Sequence, residues 1–232
     1  IAEAAQLLPD ANPAWFSHSL KPLLDLWEGR WDEVRQLADG VLATSVRTGN
    51  RWDEQAALQI AARAEAFRGN HEEAVELFER SLLIVVDGGS PYFELWIRPE
   101  LARNLCEAGR SEEARAQADR CSEILAGEED WRGRAGHVAV AEAVVAGRCG
   151  SIDEAGSAYA RALATFDLYG LRLDHADAMH QWGRDLARAG DSASAVAKLD
   201  AAREAFEALG VGEALIERVA RDRYRPASQT GS

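Results

Sequence analysis

Residues able to do acid–base or metal chemistry cluster most densely in Asp174-His175-Ala176-Asp177-Ala178-Met179-His180. On a helix, Asp174 and Asp177, or Asp177 and His180, share a face because positions three apart are neighbours. The two histidines stand five apart, which is about 140° around a helix of ~3.6 residues per turn. A zinc-protease helix needs His-Glu-x-x-His, with both histidines on one face. The stretch is therefore expected to be a polar first turn of a helix rather than a metal or catalytic site. His71-Glu72-Glu73 is half of such a motif without the second histidine, and reads as a helix start.

Nucleophilic chemistry finds no better footing. Cys106, Cys121 and Cys149 form no CxxC pair and are odd in number. They suit small-residue packing positions in a reducing compartment better than a disulfide framework. No G-x-S-x-G elbow occurs, and no G-x-x-x-x-G-K-[ST] phosphate loop. No catalytic residue, metal or cofactor is expected. The seven tryptophans invite a stacking-platform reading. Most fall at hairpin starts or beside turns, where packing accounts for them; Trp96 is the one expected to face a groove.

Composition narrows the classes further. The 232 residues carry 26 Lys+Arg against 39 Asp+Glu, a formal net charge of −13. That balance argues against a nucleic-acid backbone or an anionic membrane surface as the main partner. With 47% hydrophobic and 28% charged residues, the chain has the composition of a globular protein. No apolar run approaches the ~18–20 residues of a membrane span. The chain reads as a cytoplasmic segment of something longer.

What must position these residues is a repeat. A glycine followed by a polar or acidic stretch recurs as Gly29-Arg30-Trp31-Asp32-Glu33-Val34, Gly69-Asn70-His71-Glu72-Glu73-Ala74, Gly109-Arg110-Ser111-Glu112-Glu113-Ala114, Gly150-Ser151-Ile152-Asp153-Glu154-Ala155 and, more weakly, Gly190-Asp191-Ser192-Ala193-Ser194-Ala195. The glycine spacings are 40, 40, 41 and 40. Each block has the chemistry of a tight turn between two helices. Glycine ends one helix in the left-handed region. A polar residue caps the next, and acids in its first turn face the positive end of the dipole. Apolar residues recur at helical spacing on both sides, as Leu101, Leu105 and Ala108, then Ala114, Ala118 and Cys121.

Five hairpins follow, expected at Pro13–Glu28 with Trp31–Val46, Trp52–Arg68 with His71–Val86, and Pro91–Ala108 with Ser111–Ala126. The last two are Trp131–Arg148 with Ile152–Asp167, and Leu171–Ala189 with Ser192–Leu209. Val211–Tyr224 is a single closing helix. The organisation expected is residues 1–12 as the end of a preceding repeat, with a helix over Ala2–Leu8. Residues 13–210 are the hairpins, 211–225 a cap and 226–232 a loose tail. Pro22 and Pro99 fall inside helices and are expected to delay or kink them. One hairpin cannot bury its apolar face alone, whereas stacked neighbours can. The fold class is all-α, a right-handed superhelical solenoid of antiparallel hairpins.

The unit resembles the tetratricopeptide repeat, which places small, aromatic and small residues at fixed spacing in its second helix. Ala74, Phe78 and Ser81 fit, as do Ala155, Tyr159 and Ala162, then Ala195, Leu199 and Ala202. Trp182-Gly183 and Leu186 approach the family's Leu-Gly-x-x-Tyr in the first helix. The usual unit has ~34 residues, so these carry about six more, expected in longer helices or loops.

A narrower resemblance spans roughly residues 91–220. It rests on Arg98-Pro99-Glu100-Leu101-Ala102, Glu129-Asp130-Trp131-Arg132-Gly133-Arg134-Ala135-Gly136, Phe166-Asp167-Leu168-Tyr169-Gly170-Leu171, Trp182-Gly183 and Leu215-Ile216-Glu217-Arg218-Val219. Together these are similar to the C-terminal repeats of bacterial LuxR-type and adenylate-cyclase-associated signal-transduction ATPases. The resemblance implies a sensor or scaffold arm of such a regulator, with an ATPase or output domain as neighbour. It does not bring the nucleotide site along, because no Walker loop is present.

Superposing the repeats gives a candidate site. First helices of such solenoids usually line the concave surface. Six residues before each turn glycine stand Leu23, Arg63, Arg103, Val144 and Arg184; ten before stand Ser19, Gln59, Pro99, Val140 and His180. Gln59, Arg63, Trp96, Arg103, Asn104, His180 and Arg184 are thus expected to form a groove for a carboxylate or acidic peptide, since arginine offers a two-pronged donor. The alternative is that these arginines pair with Glu100, Asp177 and other acids along the face.

The function expected is a non-catalytic interaction or sensor module binding a protein, peptide or effector in its groove. An enzyme on an α/α hairpin scaffold is the alternative, and would need a pocket holding two acids of raised pKa. A self-association module is a third.

Overall fold

The computed structural model describes residues 21–127 and 131–224. After a helical segment at 21–27 come α1 (Trp31–Thr48), α2 (Arg51–Arg68), α3 (His71–Asp87), α4 (Pro91–Glu107) and α5 (Ser111–Leu125). Then follow α6 (Arg134–Arg148), α7 (Ile152–Tyr169), α8 (Arg172–Arg188), α9 (Ser192–Leu209) and α10 (Glu213–Tyr224). No strand occurs among the described residues. Each helix packs chiefly on its neighbours in sequence, with α4 also touching α6 and α6 touching α8. This is the all-α solenoid of hairpins that the 40-residue period implies. Residues 1–20 and 225–232, with the helix expected at Ala2–Leu8 and the loose tail, lie outside the described residues.

Glycine supplies the turns because the chain must enter the left-handed region to leave a helix. At Gly69 φ is 89°, its N–H reaches Ala66 O at 3.2 Å, and the next N–H, of Asn70, reaches Glu65 O at 2.9 Å. That pair of bonds satisfies the last carbonyls of α2. The same left-handed geometry recurs between hairpins, at Gly49, Gly170 and Gly210.

Three local expectations need correction. Trp131 does not begin the first helix of the fourth hairpin. Trp131, Arg132 and Gly133 have φ of 44°, 47° and 85°, which no right-handed helix accommodates, so α6 starts at Arg134. Pro99 does not delay its helix, since α4 begins at Pro91 and continues through Pro99 to Glu107. Side-chain capping at the hairpin turns is rarer than expected. Asp191 accepts from Ser194 N at 3.1 Å, and Asn50, between hairpins, from Asp53 N at 3.2 Å. Asn70 and Ser151 make no such bond. The Asn70 amide instead donates to Glu65 Oε2 at 2.7 Å.

The core follows the small–aromatic–small pattern. Ala74, Phe78 and Ser81, then Ala155, Tyr159 and Ala162, then Ala195, Leu199 and Ala202 are all buried. The small residues let the partner helix approach; Trp182 stacks on Tyr159 at 5.4 Å between centroids, and Gly183 lies directly over Leu199. Truncating a buried aromatic such as Phe78 to alanine costs about 3–5 kcal/mol.

The two ends of the described chain meet. Gly212 N–H donates to Trp27 O at 2.9 Å. Trp27 joins Phe206, Val211, Leu215 and Val219 in one buried cluster, and its ring lies 5.6 Å from Phe67 and 6.1 Å from Phe206. The last helix therefore closes against the turn that precedes α1, and the first helices of the hairpins face a common interior.

Candidate binding site on the inner face

The interior holds a cavity of about 60 Å³ lined by α2, α4, α6, α8 and α10. Arg63, Arg103 and Arg184, equivalent residues of three repeats, all line it, with Asn104 beside them. Such a volume takes a few waters or one small anion, and no peptide backbone. The other groove candidates, Gln59, Trp96 and His180, are not among the residues that line the cavity. Gln59 Nε2 donates to Trp96 O at 3.4 Å. Trp96 lies under the Arg134 guanidinium, 3.7 Å from its ring centroid. His180 is buried and donates from Nε2 to Asp222 Oδ2 at 2.8 Å.

Most of the interior charge is paired. Arg103 lies 2.8 Å from Asp177 and 3.6 Å from Glu100, the partners that the alternative reading of the arginines assigns to this face. Glu107 receives Arg148 at 2.9 Å, Arg184 at 3.1 Å and Arg188 at 2.8 Å. Asp174 accepts from His137 Nε2 at 2.9 Å. Arg184 also approaches Asp222 at 3.5 Å. Arg63 has no carboxylate within 4.0 Å among the described residues.

These pairs set the protonation states. Burial alone would raise the Asp177 pKa, but Arg103, with His180 and Arg218, outweighs it and brings it down to about 2. Burial likewise opposes ionisation of Glu107, yet its three arginines hold it well below the usual carboxylate range. Asp174 and Asp222 are also shifted down, burial being outweighed chiefly by His137 and His180 respectively. His180 and His71 are pushed down by burial despite their bonds to Asp222 and Asn104. The interior acids are thus ionised and the two histidines neutral near pH 7, so none of these acids carries a proton to donate.

The Asp174–His180 stretch is dispersed by its partners. Asp174 turns to His137, His175 lies 3.4 Å from Asp167, Asp177 meets Arg103, and His180 meets Asp222. No group of three His, Cys, Asp or Glu side chains converges on a metal position among the described residues.

Superposition of the repeats two residues before each turn glycine gives Trp27, Phe67, Glu107, Arg148 and Arg188. That register contains the aromatic pair, Glu107 and two of its three arginines, Arg148 and Arg188. It lies one helical turn beyond the arginine register, on the same face, so the signal was present in the sequence. Arg218 of α10, which also lines the cavity, carries no such repeat signal.

A second, open pocket of about 760 Å³ adjoins the cavity between α2, the start of α3, and α10. Phe67, His71, Arg184 and Arg218 line both. No helix among the described residues is long and apolar enough to cross a membrane.

No family model matches the chain, and no curated protein does. Among solved structures it is similar to the nearly identical TPR-like repeats of a Podosopora anserina protein described as a kinesin light chain. One crystal structure of these, of a form with a single glutamine-to-methionine substitution, is 21% identical with a TM-score of 0.51, over 82% of this chain and 92% of that one. Another is 19% identical with a TM-score of 0.51, over 93% of this chain and 99% of that one. The likeness shows a tetratricopeptide-like repeat fold.

Proposed function

We propose that this chain is the non-catalytic interaction and sensor arm of a larger bacterial signalling or transcriptional regulator of the LuxR or ATPase-associated kind. A tetratricopeptide-like solenoid suggests a protein-interaction module. The observation that carries the finer reading is the convergence of Arg63, Arg103 and Arg184 from equal positions of three repeats onto one interior. Repetition of a cation at one register builds an inner face suited to one anionic group, whether the acidic side chain of a peptide or protein segment or that of a small effector. Asn104 lines the same cavity, while Gln59, Trp96 and His180 belong to the same first helices. On this proposal the arm is cytoplasmic, needs no cofactor, and binds neither nucleic acid nor membrane directly. It passes binding energy to a neighbouring ATPase or output domain by changing how its ends pack.

Of the interior acids, Glu107, Asp174, Asp177 and Asp222 are all shifted down, the opposite of what a general acid needs. That favours the non-catalytic reading over a hydrolase on the same scaffold.

Arg63→Glu in the full-length parent tests the proposal, because Arg63 holds no ion pair among the described residues whose loss would disturb the fold. Weakened response to the parent's partner or effector is expected; an unchanged response removes Arg63 from the site. The encoding region is expected to carry a nucleotide-binding loop or DNA-binding domain beside this segment. Its absence would leave a free-standing adaptor instead.

A further inference from the structure

We propose that the interior is a built site for one small anion, a carboxylate or phosphate head group, held between Arg218 of α10 and Arg63 of α2. The inference rests on the inner-face reading above in taking Arg63 as a ligand. It adds Arg218, the closing helix and the size of what is bound.

Most charges on the cavity wall are already satisfied by one another. Arg103 pairs with Asp177 and Glu100, three arginines surround Glu107, and His137 holds Asp174. Two guanidiniums remain on the wall, those of Arg63 and Arg218. Neither has a carboxylate within 4.0 Å among the described residues. Among the described residues the Arg218 guanidinium faces the Phe67 ring, 5.4 Å from its centroid.

An unpaired guanidinium withdrawn from water is costly, and a protein retains one where an anion completes it. Burial pushes Arg218 down to about 10, and Arg184 and Arg103 add to the positive field around it, while Asp177 and Asp222 oppose them from a distance. The cavity accepts a head group of a few atoms at about 60 Å³, and the adjoining pocket of about 760 Å³ leaves room for a body beyond it. Phe67 lines both spaces and offers an apolar face to that body. Because Arg218 sits on the helix that closes the ends together, the anion bridges that helix to α2.

The test is thermal melting of the whole chain in sodium phosphate, and separately in sodium succinate, against sodium chloride at equal ionic strength. At a hundred times its Kd, a ligand confined to the folded state raises Tm by roughly 5–10 °C for a chain of this size. A rise in phosphate alone identifies a phosphorylated ligand class, and a rise in succinate alone a carboxylate. No rise in either overturns the proposal.

Arg218→Gln is expected to abolish the rise without lowering Tm in chloride, because it removes an uncompensated cation; a merely structural arginine would lower it. Arg63→Gln is expected to weaken binding at least tenfold, and serves should Arg218→Gln fail to fold. Arg161→Gln, on the outer face against Glu142, is expected to keep the full rise. A rise that survives both interior substitutions overturns the site. If the anions do not bind while Arg63→Glu still weakens the parent's response, the small-anion site falls and the interaction reading stands.

Discussion

Glu107→Gln probes the interior most sharply. Its carboxylate, 13% exposed, is shared by Arg148, Arg184 and Arg188, themselves 24%, 13% and 22% exposed. The three arise from α6 and α8, so one side chain of α4 ties three first helices together. The substitution keeps the shape and removes the charge, leaving three guanidiniums around a neutral amide. Removing one partner of a buried ion pair costs about 3–5 kcal/mol. The partial exposure of all four groups argues for the lower half, about 3–4 kcal/mol. For a chain of this size that is a drop in Tm of roughly 6–16 °C, readable by circular dichroism at pH 7. Glu113→Gln is the comparison, since Glu113 pairs with Arg110 at the surface and exposed pairs contribute little. Adding Arg148→Gln to Glu107→Gln should recover part of the loss, because Arg148 has no second carboxylate among the described residues, whereas Arg184 and Arg188 keep Asp222 and Asp185. A Glu107→Gln melt no lower than that of Glu113→Gln would refute the hub.

Acid should unfold the chain through the same network. Asp177 titrates at about 2 in the fold against an ordinary aspartate value of 3.8. The unfolded chain therefore takes up the proton first. The associated stability, roughly 2 kcal/mol, is complete above about pH 4 and disappears as pH falls through about 2. Asp177→Asn should flatten the acid limb of Tm against pH; an unchanged limb would remove Arg103–Asp177 from the account. Thiol reactivity should be uneven. Burial pushes Cys106 and Cys121 up to about 12, whereas Cys149 is exposed. A native chain at pH 8 should react rapidly at one thiol, and at all three in denaturant. Gly212→Ala should open the closure, because a Cβ there overlaps the Glu28 carbonyl oxygen. Gly212 does not lie in the left-handed region, so the cost is steric, about 1–3 kcal/mol. A larger radius of gyration in scattering should accompany it.

Much of the solenoid was legible because its signals are local. Gly69 and its equivalents need the left-handed region, acids such as Glu112 and Glu113 suit a helix start, and Phe78 between Ala74 and Ser81 marks a helix–helix contact. The bounds of α9, Ser192–Leu209, follow from such cues alone. The turn at Trp131–Gly133 was not legible, since tryptophan and arginine rarely enter the left-handed region and nothing in their types announces it. The arginine register brought Arg63, Arg103 and Arg184 to one place, but their partners come from other registers. Glu107 was recoverable one turn along the same face; Arg218 was not, because α10 lies outside the repeat. Closure was the least legible feature. It depends on how small rotations between successive hairpins accumulate, and no single residue encodes that sum.

The claim on which the site depends is that α10 seals the interior against the turn before α1. Its most direct test is hydrogen exchange at the Gly212 amide, followed by NMR under native conditions. That N–H donates to Trp27 O and does not belong to the body of any helix, so nothing but closure protects it. Closure predicts exchange slowed together with the amides of α10, and lost in Gly212→Ala and Trp27→Ala. Exchange of the Gly212 amide at the rate of an unprotected peptide, with α10 itself protected, would contradict it.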